Sequence, residues 1–429
     1  SPGCREPRTK AANPSVSGLA RAAACCCSEP PNIRSRIVLA GTRACRPATT
    51  GLLLSLLLLV AVTEAAMDAG QAKGEHAFYW EAHDTKYAIP KRDLDAALAA
   101  GKRAVLNVSR SVVADCVARY ESSGCEVYFL NVSASASVLT QRLLKRGREP
   151  PEEVEKRVAR AKLAEPKGAH VIHIINEGST EAGCKLVTGA LLGALKYSLW
   201  LTPAPDSISH KLASDIITAQ SAALRDDRRG FQPHVTLCRS FTCSQRDAIS
   251  AAQAVATALS AHGSVACEFN GEVGTSTSKW SRALVLELAG TSLFAANRLA
   301  IEALRACCLD VSRPGEALAA YRPHLSLAYG DCVQATLSQA KLEVERALAK
   351  HSKGWCRDEA VPLTHLKLVM TSSDAFWCWQ EVATVRLATT DPSVKHDKLA
   401  SGPDLWKRAC LFGVALALAA KIVVGRIAR

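Results

Sequence analysis

The sequence predicts two folded regions of different class, an α/β region followed by an α+β domain, and three observations lead to this prediction. Strand-like and helix-like stretches alternate up to about residue 195, which is typical of a parallel sheet with covering helices. From residue 196 the strand-like runs are separated by less regular helical stretches, as in an α+β domain. The chain has 429 residues, 48% hydrophobic and 22% charged, which suffices for two cores of ordinary composition.

Residues 1–35, ahead of the first region, are rich in Ala, Pro, Ser, Cys and Arg and show no hydrophobic period. We predict a disordered or targeting leader there. The formal net charge of +13 suits polyanionic partners such as nucleotides or RNA, although part of it falls in the first 50 residues. The 17 cysteines include no CxxC pair, which predicts reduced thiols in an intracellular compartment rather than a disulfide framework or a zinc site.

The predicted α/β domain occupies residues 36–195. Its strands are short apolar runs, and its second helix opens with Pro and Glu, as helix N-termini commonly do. The predicted strands are residues 104–108, 127–132 and 170–175, and the predicted helices are residues 136–146 and 151–163. The apolar run at residues 51–62 is too short to span a bilayer comfortably and can be a buried strand or helix.

The predicted α+β domain occupies residues 196–388, and a polar linker follows at residues 389–404. The predicted strands are residues 197–201, 234–237, 283–288, 324–328 and 366–370, with a helix at residues 211–224. Residues 405–429 contain an apolar stretch between basic residues, of about the minimum length for a spanning helix. This tail predicts either a membrane anchor or a packing helix, so the intracellular protein can be membrane-associated or organellar.

Two His-x-Thr/Ser motifs indicate the chemistry of the second domain. Of the 11 histidines, four have Ser or Thr two positions later, namely His83, His234, His262 and His324. Only His234 (QPHVTLC) and His324 (RPHLSLA) follow a proline and begin an alternation of polar and apolar residues, as in a strand with one buried face. The period of two places each imidazole beside a hydroxyl, that of Thr236 or Ser326.

Paired histidines suit the opening of a cyclic phosphate. The attacking water has to lose a proton and the departing ribose oxygen has to gain one, and histidine can do both near neutral pH. Hydroxyl groups can donate to the phosphoryl oxygens as charge develops. We therefore predict His234 and His324 as the catalytic pair, Thr236 and Ser326 as phosphate-binding residues, and no metal or other cofactor. The sequence leaves open which histidine is the acid.

Residues 197–388 resemble the plant and fungal 2′,3′-cyclic nucleotide phosphodiesterases of the two-histidine (2H) phosphoesterase superfamily. YSLWLTPAP is similar to the family's opening strand, PHVTL and PHLSLAYGD to its two signature strands, and LVMTSSDAFWCWQEVATVRL to its closing hairpin. The resemblance implies a two-lobed α+β fold whose motifs face each other across a cleft, without a metal. It also implies 2′,3′-cyclic nucleotides or RNA ends as substrates and a phosphate contact from Tyr329.

Residues 77–190 resemble a second family, the ribose 1,5-bisphosphate phosphokinases of the guanylate-kinase-like group. AFYWEAHDTKYAIP is similar to the family's phosphoryl-acceptor segment, and LLKRGREPPEEVEKRVARA to its lid. The resemblance implies an incomplete kinase-like parallel sheet, with Arg146 and Arg148 as lid residues that contact phosphate. The sequence contains no phosphate-binding loop of the form GxxxxGK[ST], so ATP and Mg²⁺ are expected as cofactors only if this half is functional.

Three hypotheses follow for the function. The leading one is a cyclic phosphodiesterase domain fused to a kinase-like domain. The second is a ribose 1,5-bisphosphate or nucleotide kinase whose phosphate loop is missing from this sequence. The third is a non-catalytic protein that binds nucleotides or RNA. Incubation with a 2′,3′-cyclic nucleotide separates the first hypothesis from the third.

Overall fold

The computed structural model describes residues 54–56 and 64–387, except for short gaps at residues 83–84, 101–102, 107, 122–124, 126, 148–149, 162–169, 226–230, 310, 312–320, 331–332 and 358. The predicted leader, the linker and the apolar C-terminal segment lie outside the described residues. Among the residues that are described, no helix is long and apolar enough to cross a membrane.

The first half of the chain forms small pairs of strands. β1 (Leu54–Leu56) lies within the apolar run, and further along the chain come β2 (His76–Ala82), β3 (Thr85–Pro90), β4 (Arg103–Val105), β5 (Phe129–Ser133) and β6 (Val171–Ile175). β1 pairs in parallel with β4, β5 pairs in parallel with β6, and β2 and β3 form an antiparallel hairpin. The parallel pairing agrees with the prediction, but in the described part of the chain it occurs as two separate pairs and not as one sheet.

Local signals explain the helices of this half. They are α1 (Glu64–Ala72), α2 (Lys91–Ala99), α3 (Val113–Glu121), α4 (Ala136–Arg146), α5 (Pro151–Ala161) and α6 (Thr180–Leu192). α4 has the predicted bounds, because the Ser135 hydroxyl accepts the Val138 N–H at its start and Gly147 ends it at a φ of 61°. α5 begins at its predicted proline.

The second half is built on one antiparallel sheet of eight strands. They are β7 (Leu195–Thr202), β8 (Val235–Cys243), β9 (Ala266–Thr275), β10 (Leu284–Ala289), β11 (His324–Ala328), β12 (Ala360–Pro362), β13 (His365–Met370) and β14 (Gln380–Arg386). Their order is β12-β9-β10-β11-β8-β7-β13-β14. The two motif strands, β8 and β11, are therefore neighbours at the centre, and each is the inner edge of a group of four strands.

The two groups of four strands are joined narrowly. β8 and β11 pair only at Val235 and Leu325, whereas β7 and β13 pair over six residues. The two expected lobes thus take the form of two halves of one continuous sheet, which meet at the motif strands.

Helices cover one face of this sheet. They are α7 (Ile208–Arg225), α8 (Gln245–His262), α9 (Thr291–Ala306) and α10 (Gln334–Ala349). The apolar residues of both motif strands, Val235, Leu237, Leu325 and Leu327, are fully buried in the core on this face. Because side chains alternate along a strand, the motif histidines and hydroxyls belong to the other face.

The two halves of the chain bury side chains in a common core. Tyr128, Ile172, Ile174 and Leu186 of the first half belong to the same apolar cluster as the strands of the large sheet. The buried side-chain amide of Gln245, in α8, also donates to the carbonyl of Val171, in β6, at 2.7 Å.

Candidate functional site

The structure brings the four motif side chains together on one face of the large sheet. Antiparallel pairing of Leu325 with Val235 sets His324 opposite Thr236 and Ser326 opposite His234. Positions i and i+2 of a strand lie roughly 7 Å apart on the same face, and the pairing at Leu325 and Val235 sets the two motif strands side by side at this point. Each histidine therefore lies next to a hydroxyl of its own strand and a hydroxyl of the other strand.

Each of the two histidines is held by a hydrogen bond to the main-chain carbonyl two residues earlier. The Nδ1 atom of His234 is 2.7 Å from the carbonyl oxygen of Gln232, and Nδ1 of His324 is 2.9 Å from the carbonyl oxygen of Arg322. A carbonyl oxygen can only accept, so Nδ1 carries a proton in both rings. In the neutral form of each ring, Nε2 is then the basic nitrogen.

His234 lies deep in the site, with 1% of its surface exposed. The Trp200 indole stacks on its ring, with centroids 3.6 Å apart and planes 8° apart. The Tyr329 hydroxyl is 3.2 Å from Nε2 of His234 and can donate to it. The pKa of His234 is lowered to about 3, chiefly by burial; the charges of His324 and Lys367 act in the same direction, and the hydrogen bond to Gln232 opposes them.

His324 is less enclosed and lies among more charged groups. Burial lowers its pKa, and the hydrogen bond to the Arg322 carbonyl opposes this shift. The positive charges of Arg282 and Arg239 lower the pKa of His324 further, and the negative charge of Glu287 raises it. Glu287 is the direct cross-strand partner of His324 on β10 and forms an ion pair with Arg282 at 2.5 Å.

Tyr329, predicted as a phosphate-binding residue, is buried beside the pair at the end of β11. Burial raises the pKa of its hydroxyl, so the group stays protonated at neutral pH and can donate a hydrogen bond. The next residue, Gly330, has a φ of 135° and donates its N–H to the Trp280 carbonyl at 2.9 Å. The chain therefore turns directly after Tyr329, in a conformation that favours glycine.

An aromatic pocket of about 160 Å³ lies beside Trp200, whose indole stacks on His234. It is lined by Trp200, Phe231, Gln232, Val369, Phe376, Trp377, Trp379 and Glu381. The pocket is close in size to an apolar cavity of about 150 Å³ that holds one benzene ring. Its walls are mostly flat rings, with an amide and a carboxylate as polar groups, which suits a planar heterocycle.

Most of the pocket residues were not predicted from the sequence. Trp200 and Trp379 stand in the segments that carry the family resemblance, but their place beside the histidines depends on strand pairing.

Arg146, predicted as a lid residue, is exposed at the end of α4 in the first half of the chain, and Arg148 lies outside the described residues. Among the described residues, no group of three or more His, Cys, Asp or Glu side chains is arranged to hold a metal ion.

Comparisons with known families and sequences separate the two halves of the chain. Residues 195–387 match the family described as cyclic phosphodiesterase-like protein. A ribose 1,5-bisphosphate phosphokinase PhnN of Brucella melitensis is 37% identical over 122 residues, which are 28% of this chain and 61% of the relative. The PhnN kinase of Pseudofrankia inefficax is 35% identical over 133 residues, 31% of this chain and 67% of the relative. This chain thus spans about three fifths to two thirds of these kinases.

The chain is also similar in part to a longer, bifunctional relative and to a solved structure. The bifunctional ribose 1,5-bisphosphokinase-thymidine phosphorylase of Cupriavidus necator is 36% identical over 143 residues, 33% of this chain and 23% of the relative. Among solved structures, LigT of E. coli in complex with 3′-AMP aligns with 46% of this chain and 99% of its own, at 9% identity and a TM-score of 0.28.

Proposed function

We propose that the domain at residues 195–387, which matches the cyclic phosphodiesterase-like family, hydrolyses 2′,3′-cyclic phosphates of nucleotides or RNA ends to phosphomonoesters. The observation that carries the proposal is the pair of imidazoles, each held through Nδ1 by the carbonyl two residues earlier. Both rings can then use Nε2 for proton transfer at one phosphorus atom. Fused to this domain is a region similar to ribose 1,5-bisphosphate phosphokinases.

The proposed reaction needs two proton transfers. One imidazole takes a proton from the water that attacks phosphorus. The other imidazole gives a proton to one ribose oxygen as the bond between that oxygen and phosphorus breaks. The phosphoryl group stays bonded to the second ribose oxygen, so the product is a phosphomonoester. The Thr236 hydroxyl donates to a non-bridging oxygen, where negative charge increases in the transition state. The hydroxyls of Ser326 and Tyr329 do the same once they exchange their hydrogen bonds to the Ser281 carbonyl and to Nε2 of His234 for the phosphate.

The aromatic pocket supports a nucleotide as the group attached to the phosphate. Stacking on indole and phenyl rings binds any base, because every base has a π face. The pocket adjoins His234 through Trp200, so a base held there leaves its ribose phosphate near the histidines. An RNA end and a mononucleotide carry the same terminal group, and both are included in the proposal.

The experiment that tests this function is incubation of the purified chain with the four 2′,3′-cyclic mononucleotides, followed by identification of the product isomer. We expect hydrolysis that is insensitive to EDTA, because both proton transfers are assigned to side chains. Thr236→Ala and Ser326→Ala should each lower kcat by roughly 10- to 150-fold, the contribution of one hydrogen bond to a charged group. This is less than the loss of a histidine, since each removes one donor among several. Turnover abolished by the chelator would contradict the metal-free mechanism. Binding of the nucleotides without turnover would favour the non-catalytic hypothesis.

We propose that the kinase-like half of this chain does not transfer phosphate from ATP. The reason is the absence of a GxxxxGK[ST] sequence, whose backbone amides and lysine hold the ATP phosphates in kinases of this kind. Incubation with labelled ATP and either ribose 1,5-bisphosphate or GMP is expected to leave the acceptor unlabelled. Label in the acceptor above that of a heat-inactivated sample would contradict the proposal and would support the kinase hypothesis.

A further inference from the structure

The two motifs are alike in backbone geometry but differ in the charged groups that surround them. The charge of a lysine, Lys367, acts on His234, whereas a carboxylate, that of Glu287, is the cross-strand partner of His324. Neither Lys367 nor Glu287 belongs to a motif that indicated the function. Their placement bears on the question of which histidine accepts a proton and which donates one.

Lys367 is tied to the residue that orients His234. It lies on β13 in one cross-strand row with Trp200 and Thr236, and it has 9% of its surface exposed. Its Nζ atom donates to the Gln232 side-chain oxygen at 2.5 Å and to the Glu381 carboxylate at 2.7 Å. The main-chain carbonyl of the same Gln232 accepts the hydrogen bond from Nδ1 of His234. Lys367 therefore holds in place the residue that sets the ring's orientation.

The hydrogen bonds of His234 also indicate its protonation state. With its proton on Nδ1, the neutral ring presents Nε2 as an acceptor, and the Tyr329 hydroxyl is placed to donate to it. A second proton on Nε2 would have to displace this bond inside a buried site that already holds the cation Lys367. The charged groups that act on His234 are Lys367 and His324, and both disfavour the imidazolium form.

His324 has the opposite kind of neighbour. Glu287 lies directly across from it, and a carboxylate in that position favours an imidazolium. The groups that act against this effect are Arg282, which is paired with Glu287, and Arg239. Within the described residues, Nε2 of His324 makes no hydrogen bond to another side chain, so it is open to carry a proton toward the substrate.

We propose that Lys367, acting through Gln232, is a positioning residue that keeps His234 unprotonated as the acceptor of the water proton, and that Glu287 holds His324 as the proton donor. This assignment rests on the proposed function. In the reaction, the Tyr329 hydroxyl turns from Nε2 of His234 to the phosphate. The water proton then moves to this Nε2 while the water oxygen bonds to phosphorus. The P–O bond to the ribose breaks, and that oxygen takes the proton from Nε2 of His324. Exchange with solvent returns both rings to their starting states.

The directions of the pKa shifts agree with this assignment. His234 has its pKa lowered to about 3, chiefly by burial, and Lys367 contributes to the lowering. Burial also lowers the pKa of His324, but there Glu287 opposes the shift. Two titratable groups whose surroundings differ in this way are a common basis for separate acid and base roles.

The test compares the pH dependence of kcat/KM in the full chain and in Lys367→Met. A base fails when it becomes protonated, so the acidic limb reports the pKa of His234. Removing the cation raises that pKa, and we expect the acidic limb to move up by roughly one pH unit. In Glu287→Gln the loss of the anion lowers the pKa of His324, so the basic limb should move down by roughly the same amount. Lys367→Arg should restore most of the wild-type profile.

The matched control is Lys341→Met, which breaks a Lys–Glu ion pair on α10 and should move neither limb. Lys367→Met with an unchanged acidic limb, or with a shift of the basic limb instead, would overturn the assignment. If the wild-type chain hydrolyses no cyclic phosphate, the proposed function fails, and ¹⁵N NMR of the imidazoles still tests Lys367. The titration midpoint of His234 should rise in folded Lys367→Met and stay constant in Lys341→Met. A constant midpoint in both would refute the role of Lys367.

Discussion

Replacing His234 or His324 by alanine is expected to remove nearly all turnover of a 2′,3′-cyclic nucleotide. Each substitution takes away one of the two proton transfers, and general acid–base help of this kind contributes roughly 10²–10⁴-fold. The double variant should be little slower than either single variant, because the pair acts as a unit on one phosphorus atom. The measurement is kcat and KM for all three variants, with folding checked by circular dichroism.

His262→Ala is the matched control for these variants. His262 also has a serine two positions later, but it lies exposed at the end of α8 and not on a strand. Its substitution should leave kcat and KM unchanged. Near-normal hydrolysis by His324→Ala would show that the second motif is not part of the catalytic machinery, whatever the effect at His234.

Trp200→Ala is expected to have the largest combined effect on stability and on substrate binding. The indole is 6% exposed, stacks on His234 and lines the aromatic pocket. Removing a buried tryptophan side chain should lower the free energy of unfolding by about 3–5 kcal/mol. Loss of one stacking surface, worth roughly 1–3 kcal/mol per base, should raise KM for a cyclic nucleotide by about 5- to 150-fold. Urea unfolding and initial-rate kinetics measure the two effects.

Trp355→Ala separates the loss of stability from the loss of binding. Trp355 is 1% exposed, donates its indole N–H to the Ser209 carbonyl at 2.8 Å, and does not line the pocket. Its replacement should cost a similar free energy of unfolding and leave KM unchanged at a temperature where both variants are folded. If Trp200→Ala keeps the wild-type KM, the pocket does not bind the base.

Local sequence signals predicted one strand of the site and one helix of the first half of the chain. The strand at residues 324–328 and the helix at residues 136–146 were predicted with the bounds that they have. Both begin with local signals: alternation of polar and apolar residues in the strand, and a serine cap in the helix. The His-x-Thr/Ser spacing likewise predicted which side chains share a face, because the period of a strand is independent of its partners.

The strand pairing of the first half could not be predicted from its sequence. Runs such as HVIHII indicate buried strands, but an apolar run does not specify which strand lies next to it. The structure pairs β5 with β6 and β1 with β4, and among the residues that it describes neither pair is joined to the other. Two-stranded pairs are marginal alone, and here β6 side chains are buried in the core of the second half.

The sequence by itself determined that His234, Thr236, His324 and Ser326 are polar residues on one face of each of two strands, and that the opposite face of each strand is apolar and buried. Only the tertiary structure decided that these strands are neighbours, that His324 lies opposite Thr236, and that Lys367 and Trp200 stand beside His234. The physical reason is that the pattern along a strand arises from its own backbone geometry, whereas its register depends on contacts between residues far apart in the chain.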